Sequence, residues 1–213
     1  MKIIVYAPHN DDEVLGVGGA IAKYAQAGND VYVCEVTSGK MYKTLQAEAR
    51  DAHKILGVKE TFFLNLPVTE LRNLHISELN GAIGEITNRI QPDIAFIPHK
   101  GDMHMDHGEV AKAAMVALRP VSCPQLKAIY AYETLSETEW NIASPDNTFN
   151  PNVYCDISKE IELKLEAMSC YKSQVKQYPH PRSLESLKAL AMLRGSTICV
   201  PYAEAFVSIR TVL

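Results

Sequence analysis

Short apolar runs rich in β-branched residues recur along this chain, and through its first two thirds each is followed by a longer stretch with helical periodicity. The runs at residues 3–7, 31–37, 61–65, 93–98, 128–132 and 206–212 have the length of buried strands. The helical patterns cover 13–27, closed by Gly28; 44–56, closed by Gly57; 76–90, closed by Pro92; and 106–118, closed by Pro120. Parallel strands need long crossovers, and crossovers are usually helices. The alternation therefore predicts an α/β fold: a Rossmann-like, doubly wound, mostly parallel sheet with helices on both faces. A chain of 213 residues, 47% of them hydrophobic, is enough for one domain over 1–213 with its own core.

The last third reads differently. It holds a polar loop at 136–151 that includes Trp140, a helical stretch at 158–175, the turn Tyr178-Pro179-His180-Pro181 and a helix at 184–194. Ser183 and Glu185 begin that last helix as a cap, and its stripe of Leu184, Leu187 and Leu190, with Leu193 next, reads as core. No linker, low-complexity segment or internal repeat interrupts the pattern.

A net charge of −4 gives no reason to expect a nucleic-acid partner. The five cysteines lack CxxC spacing and are odd in number, so they read as reduced core thiols. The apolar N-terminal run stops at Pro8, too short for a signal segment or membrane span, which makes the cytoplasm the expected compartment.

Two clusters follow the first and fourth apolar runs: His9-Asn10-Asp11-Asp12-Glu13 and His104-Met105-Asp106-His107. In open α/β sheets ligands bind beyond the carboxyl ends of the strands, where both clusters begin. Imidazole nitrogen and carboxylate oxygen suit a borderline-soft divalent ion, and a catalytic site needs three protein ligands plus water. In the first cluster His9 and Asp12 can ligate while Asp11 serves as general base; the competing reading makes Asp11 or Asp12 a helix cap. Asp106 with Glu109 likewise reads as a capping pattern, but His104, His107 and Asp102 are more than a cap requires. One of these histidines can ligate while the other faces substrate, with Asp106 or Asp102 orienting an imidazole. His99 competes as a ligand, whereas His53, His75 and His180 read as surface or packing residues. Gly16, Gly18 and Gly19 form no GxGxxG fingerprint after the strand and imply close helix–sheet packing.

His9-x-Asp11-Asp12-Glu13 and His104-x-Asp106-His107, in this order and separation, resemble the motifs of the LmbE-like, or PIG-L, family of zinc-dependent de-N-acetylases. Gly18-Gly19, Thr37-Ser38-Gly39, Arg50 and Tyr202-Ala203-Glu204-Ala205-Phe206 extend the resemblance over nearly the whole chain, while Asn10 and Met105 stand where the family usually has proline. The resemblance implies His9, Asp12 and His107 as metal ligands, Asp11 as the base acting on metal-bound water, and His104 as the electrophilic or acid residue oriented by Asp106. It implies Arg50, and with it Tyr202, as substrate-binding residues. It also implies Zn2+ as cofactor, with Fe2+ the alternative, and a small-molecule N-acetylated sugar of the N-acetylglucosamine type as substrate. A homo-oligomer rests on base rates alone. A metallophosphoesterase is one rival reading, distinguished by a second metal. The other is a non-catalytic sugar-binding module, whose structural metal would need a fourth protein ligand.

Overall fold

The computed structural model describes residues 1–213. Its elements run β1 (Lys2–Ala7), α1 (Asp12–Gln26), β2 (Asp30–Ser38), α2 (Tyr42–Leu56), β3 (Glu60–Pro67), α3 (Ile76–Ile90), β4 (Ile94–Pro98), α4 (Met105–Ala117), β5 (Ala128–Tyr132), β6 (Val153–Asp156), α5 (Ile161–Cys170), α6 (Leu184–Ser196) and β7 (Ala203–Thr211). They form one seven-stranded sheet in the order β3-β2-β1-β4-β5-β7-β6. The first five strands are parallel, and β7 runs antiparallel to both β5 and β6.

The pleat of β1 explains the two cores. Ile4 and Tyr6 point into one, with Leu79, Ile83 and Ile86 of α3 and Val110 and Ala114 of α4. Ile3 and Val5 point into the other, with α1, Ala49 and Ala52 of α2, Met168 of α5 and Leu187 of α6. Helices thus cover both faces, as the alternation implies. The glycines of α1 allow its close approach: a Cβ on Gly16 would lie 2.2 Å from the Tyr132 ring, and one on Gly19 would lie 2.7 Å from Ile157.

Three expectations need correction. The edge strand β6 falls in a four-residue run, Val153–Asp156, with no pronounced apolar pattern. The helix expected over 158–175 is α5, which ends at Cys170 because Tyr171 leaves helical geometry at ψ 61°. All five cysteines are free, but only Cys34 and Cys123 are buried; Cys199 is exposed rather than core. No helix is long and apolar enough to cross a membrane.

Candidate metal centre

The strand order reverses between β1 and β4: from β1 the chain steps outward to β2 and β3, and from β4 the other way to β5. The crevice at such a reversal is where doubly wound sheets bind ligands. The loop after β1 and the first turn of α1 deliver His9 to Glu13 there, and the loop after β4 and the first turn of α4 deliver Asp102 to His107.

Asp11 is the residue before α1 and has a strained backbone, φ 121°, yet its side chain makes no capping hydrogen bond. The capping reading therefore fails for Asp11, whose carboxylate is left for the site. Thr37 at the end of β2 holds the loop by donating its Oγ1 (2.7 Å) and its amide (3.0 Å) to the Pro8 carbonyl.

His9, Asp12 and His107 converge, their donor atoms all lying within 4.8 Å of one another. Asp12 Oδ2 is 3.1 Å from His9 Nδ1 and 3.2 Å from His107 Nε2. A tetrahedral shell with zinc–ligand distances of about 2.0–2.2 Å has edges of roughly 3.3–3.6 Å, so these donors need little adjustment. Asp12 Oδ1 and His107 Nε2 are buried without a hydrogen-bond partner, as donors meant for a cation would be. The donor set fits a divalent ion.

Charge is arranged to match. Burial opposes the protonated imidazoles, but Asp106 and Asp12 outweigh it and raise His9 to about 9. His107 is raised to about 10, again against burial, by Asp12 and Asp102. Burial opposes the Asp12 carboxylate too, but His107 and His9 hold it well below the usual range. Protons and divalent cations compete for these nitrogens, so loading a metal releases protons.

The orienting groups divide differently from the sequence expectation. Asp102 Oδ2 accepts a hydrogen bond from His107 Nδ1 at 2.8 Å, and its Oδ1 accepts from Thr138 at 2.6 Å. Asp106 Oδ2 lies 3.3 Å from His9 Nε2 and 2.7 Å from the Thr69 amide, but 3.9 Å from His104 Nδ1. Its carboxylate therefore orients His9 rather than His104. His104 is positioned as the cap of α4, its Nδ1 accepting from the Asp106 amide at 3.2 Å, so its ring proton sits on Nε2. Burial, then the His9 charge, lowers His104 to about 4, which keeps this imidazole neutral near pH 7.

A cavity of about 340 Å³ opens over these groups, within the usual range for small-ligand sites. His9, Asp11 and His104 form its floor, and Glu137, Gln174 and Arg182 line it from the last third of the chain. The sequence offered no signal for these three, which lie in loops and follow no motif. Arg182 Nη1 donates to Asp11 Oδ2 at 3.1 Å.

Behind the cavity, Glu13 accepts from Tyr171 (2.5 Å), His53 (3.1 Å) and the Asp11 amide (3.1 Å). His53 is thus a packing residue with a polar task. Glu35 beside it is fully buried, and neither carboxyl oxygen has a hydrogen-bond partner. Burial, then the Glu13 charge, pushes Glu35 well above the usual carboxylate range. A carboxyl shifted this way stabilises the fold fully below its unfolded pKa of about 4.3 and loses that contribution as pH rises. Glu35→Gln, a neutral isostere, is expected to match the native protein near pH 5 and to exceed it progressively toward pH 8 in urea midpoint. An equal loss at both pH values would show an ionised Glu35.

Several named residues lie elsewhere. Arg50 is exposed on α2, stacked 4.7 Å over Phe63 and bonded to the Gln46 carbonyl, and does not line the cavity. Tyr202 packs against the Ile157–Ile161–Ala191 cluster with Lys188 over its ring at 5.6 Å, also away from the cavity. Neither residue, implied by the resemblance to bind substrate, lines this cavity. His99 is no ligand: its Nε2 lies 3.1 Å from the Asn147 carbonyl. His75 caps α3, and His180 Nδ1 accepts from the Arg182 amide.

Several known proteins are similar to this chain in sequence and fold. A family model described as PIG-L: GlcNAc-PI de-N-acetylase matches residues 4–118, which include both histidine clusters. The chain is 32% identical over 181 residues to the uncharacterized deacetylase YaiS of Escherichia coli (strain K12), covering 80% of this chain and 90% of that protein. It is 27% identical over 221 residues to a diacetylchitobiose deacetylase of Thermococcus kodakarensis, covering 95% of this chain and 81% of that one. The solved N,N'-diacetylchitobiose deacetylase from Pyrococcus horikoshii, complexed with its inhibitor MPG, superposes with a TM-score of 0.79 at 26% identity, over 98% and 83% of the two chains.

Proposed function

The chain belongs to the PIG-L family of metal-dependent N-deacetylases, hydrolases of an amide bond, and we propose that it removes the acetyl group from an N-acetylglucosamine-type sugar with zinc as its metal. The observation that carries this reading is the convergence of His9, Asp12 and His107 beside Asp11 at the floor of an open cavity. His9, Asp12 and His107 would hold a divalent cation, which when bound would supply Lewis acidity toward the amide carbonyl and toward water.

Asp11 takes the proton of the attacking water. Burial pushes its carboxyl up, the Arg182 charge opposes that and Asp12 adds to it, so Asp11 has a raised affinity for the proton it takes and holds until it is passed on. His104, neutral and protonated on Nε2, donates a hydrogen bond to the developing oxyanion. The tetrahedral centre then collapses: its C–N bond breaks, the Asp11 proton passes to the nitrogen, and acetate and a free amine leave.

The rivals fit less well. A two-metal phosphoesterase needs a second, independent ligand set. Glu13, Glu35 and His53 are all buried with none lining the cavity, and the group His9, His104 and Asp106 shares His9 with the first set, leaving one histidine and one carboxylate of its own. A structural metal needs a fourth ligand, and His99 is engaged elsewhere.

The test is acetate release from N-acetylglucosamine, N,N'-diacetylchitobiose and related N-acetylated sugars, measured before and after chelation. Release should vanish with the chelator, return with zinc, and accompany about one metal per chain. No release by the metal-loaded protein from any such sugar overturns the reading.

A further inference from the structure

We propose that Arg182 is the positioning residue for the base: its guanidinium fixes Asp11 Oδ2 so that Oδ1 faces the cavity. This rests on the reading of Asp11 as base. Asp11 hangs from a strained backbone and lacks a capping bond, so its local sequence does nothing to fix its carboxylate.

Arg182 supplies the missing restraint. Nη1 donates to Asp11 Oδ2 at 3.1 Å and to Gln174 Oε1 at 3.3 Å. Nε donates to Ser136 Oγ at 2.8 Å, and Nη2 to Glu137 Oε1 at 3.3 Å. Every nitrogen of the fork is engaged by protein, so the group works as a clamp between three loops rather than as a free hand for substrate. The anchor at Ser136 is itself buried and held at φ 73°, a geometry kept where surrounding structure over-determines it. Asp11 Oδ2 is occupied, whereas Oδ1 makes no hydrogen bond and is left for the proton of water. A planar, permanently charged fork suits this task better than the point charge of lysine.

The test compares Arg182→Ala, Arg182→Lys, Asp11→Asn and the Arg182→Ala/Asp11→Asn double variant, each loaded with zinc. With N,N'-diacetylchitobiose, Arg182→Ala should lose about 100-fold in kcat, the scale of a misplaced catalytic group. Its KM should change less than about threefold, because a group acting only on the base leaves ground-state binding intact. Added guanidinium ion should restore part of the loss, Arg182→Lys should recover less than native kcat, and the double variant should be no slower than Asp11→Asn. A higher KM at native kcat makes Arg182 a substrate contact and overturns the proposal, as does native kcat.

A crystal structure of Arg182→Ala gives a readout independent of turnover. The Asp11 carboxylate should rotate or lose order; an unmoved carboxylate refutes the clamp. Native activity in Asp11→Asn would remove the base itself, whereas an inactive Asp11→Asn beside a fully active Arg182→Ala would remove the clamp alone.

Discussion

Asp11→Asn is expected to lower kcat by about 10²–10⁴-fold while leaving the metal content at one per chain. The change is nearly isosteric, and asparagine is among the residues that best tolerate a positive φ, so the φ of 121° at this position is kept. An amide cannot take a proton from water, however, so the base is deleted without a cavity. Of the proposed ligands, His9 and His107 retain their orienting partners Asp106 and Asp102, neither of which touches Asp11, and Asp12 keeps the His9 amide. Metal binding and proton transfer thus separate in one variant. Loss of metal together with activity would place Asp11 among the ligands, and a native kcat would pass the base role to another group.

Much of this centre is readable from the chain because each half of it is local. Six of the seven strands and the four helices between the first five of them follow from apolar periodicity and from Gly or Pro stops, both histidine clusters stand directly after such strands, and the strand reversal between β1 and β4 brings the two clusters together. What local pattern leaves open is set by tertiary contact. Arg182 lies in a loop beside prolines with no periodicity, and only the folded chain brings it to Asp11. Asp102 and Asp106 are both near enough in sequence to orient either histidine. Backbone geometry decides between them: His104 gives its Nδ1 to the cap of α4, so the Asp106 carboxylate turns to His9. Arg50 shows the limit of a motif match: it is stacked over Phe63 and is not among the residues that line the cavity, although Met41 and Leu45 nearby in sequence are. The edge strand β6 is only four residues long and gains its identity from pairing with β7.

Lys164→Met is expected to destabilise the fold by about 3–5 kcal/mol, the cost of leaving a buried charge without its partner. At this chain length that is a fall in Tm of roughly 6–20 °C. Lys164 on α5 and Glu204 on β7 are 3% and 4% exposed and pair with each other. Both also reach into α1. Glu204 accepts from the amides of Gly19 and Ala20, each at 2.8 Å, and Lys164 Nζ donates to the Leu15 carbonyl at 2.8 Å. The Gly19 amide and the Leu15 carbonyl are groups that a regular helix would join to each other, so this ion pair serves α1 where α1 would serve itself. The absence of a side chain at Gly19, where a Cβ would lie 2.7 Å from Ile157, is what lets the helix come this close. Because α1 begins at Asp12, loosening it also disturbs a proposed metal ligand, and the affinity for added zinc should fall with stability. The double variant Lys164→Met/Glu204→Gln separates charge from packing. It should recover part of the loss, since both ionic partners become neutral and the glutamine carbonyl still accepts an α1 amide. A double variant no more stable than Lys164→Met would instead assign the loss to the Leu15 carbonyl left without its Nζ donor.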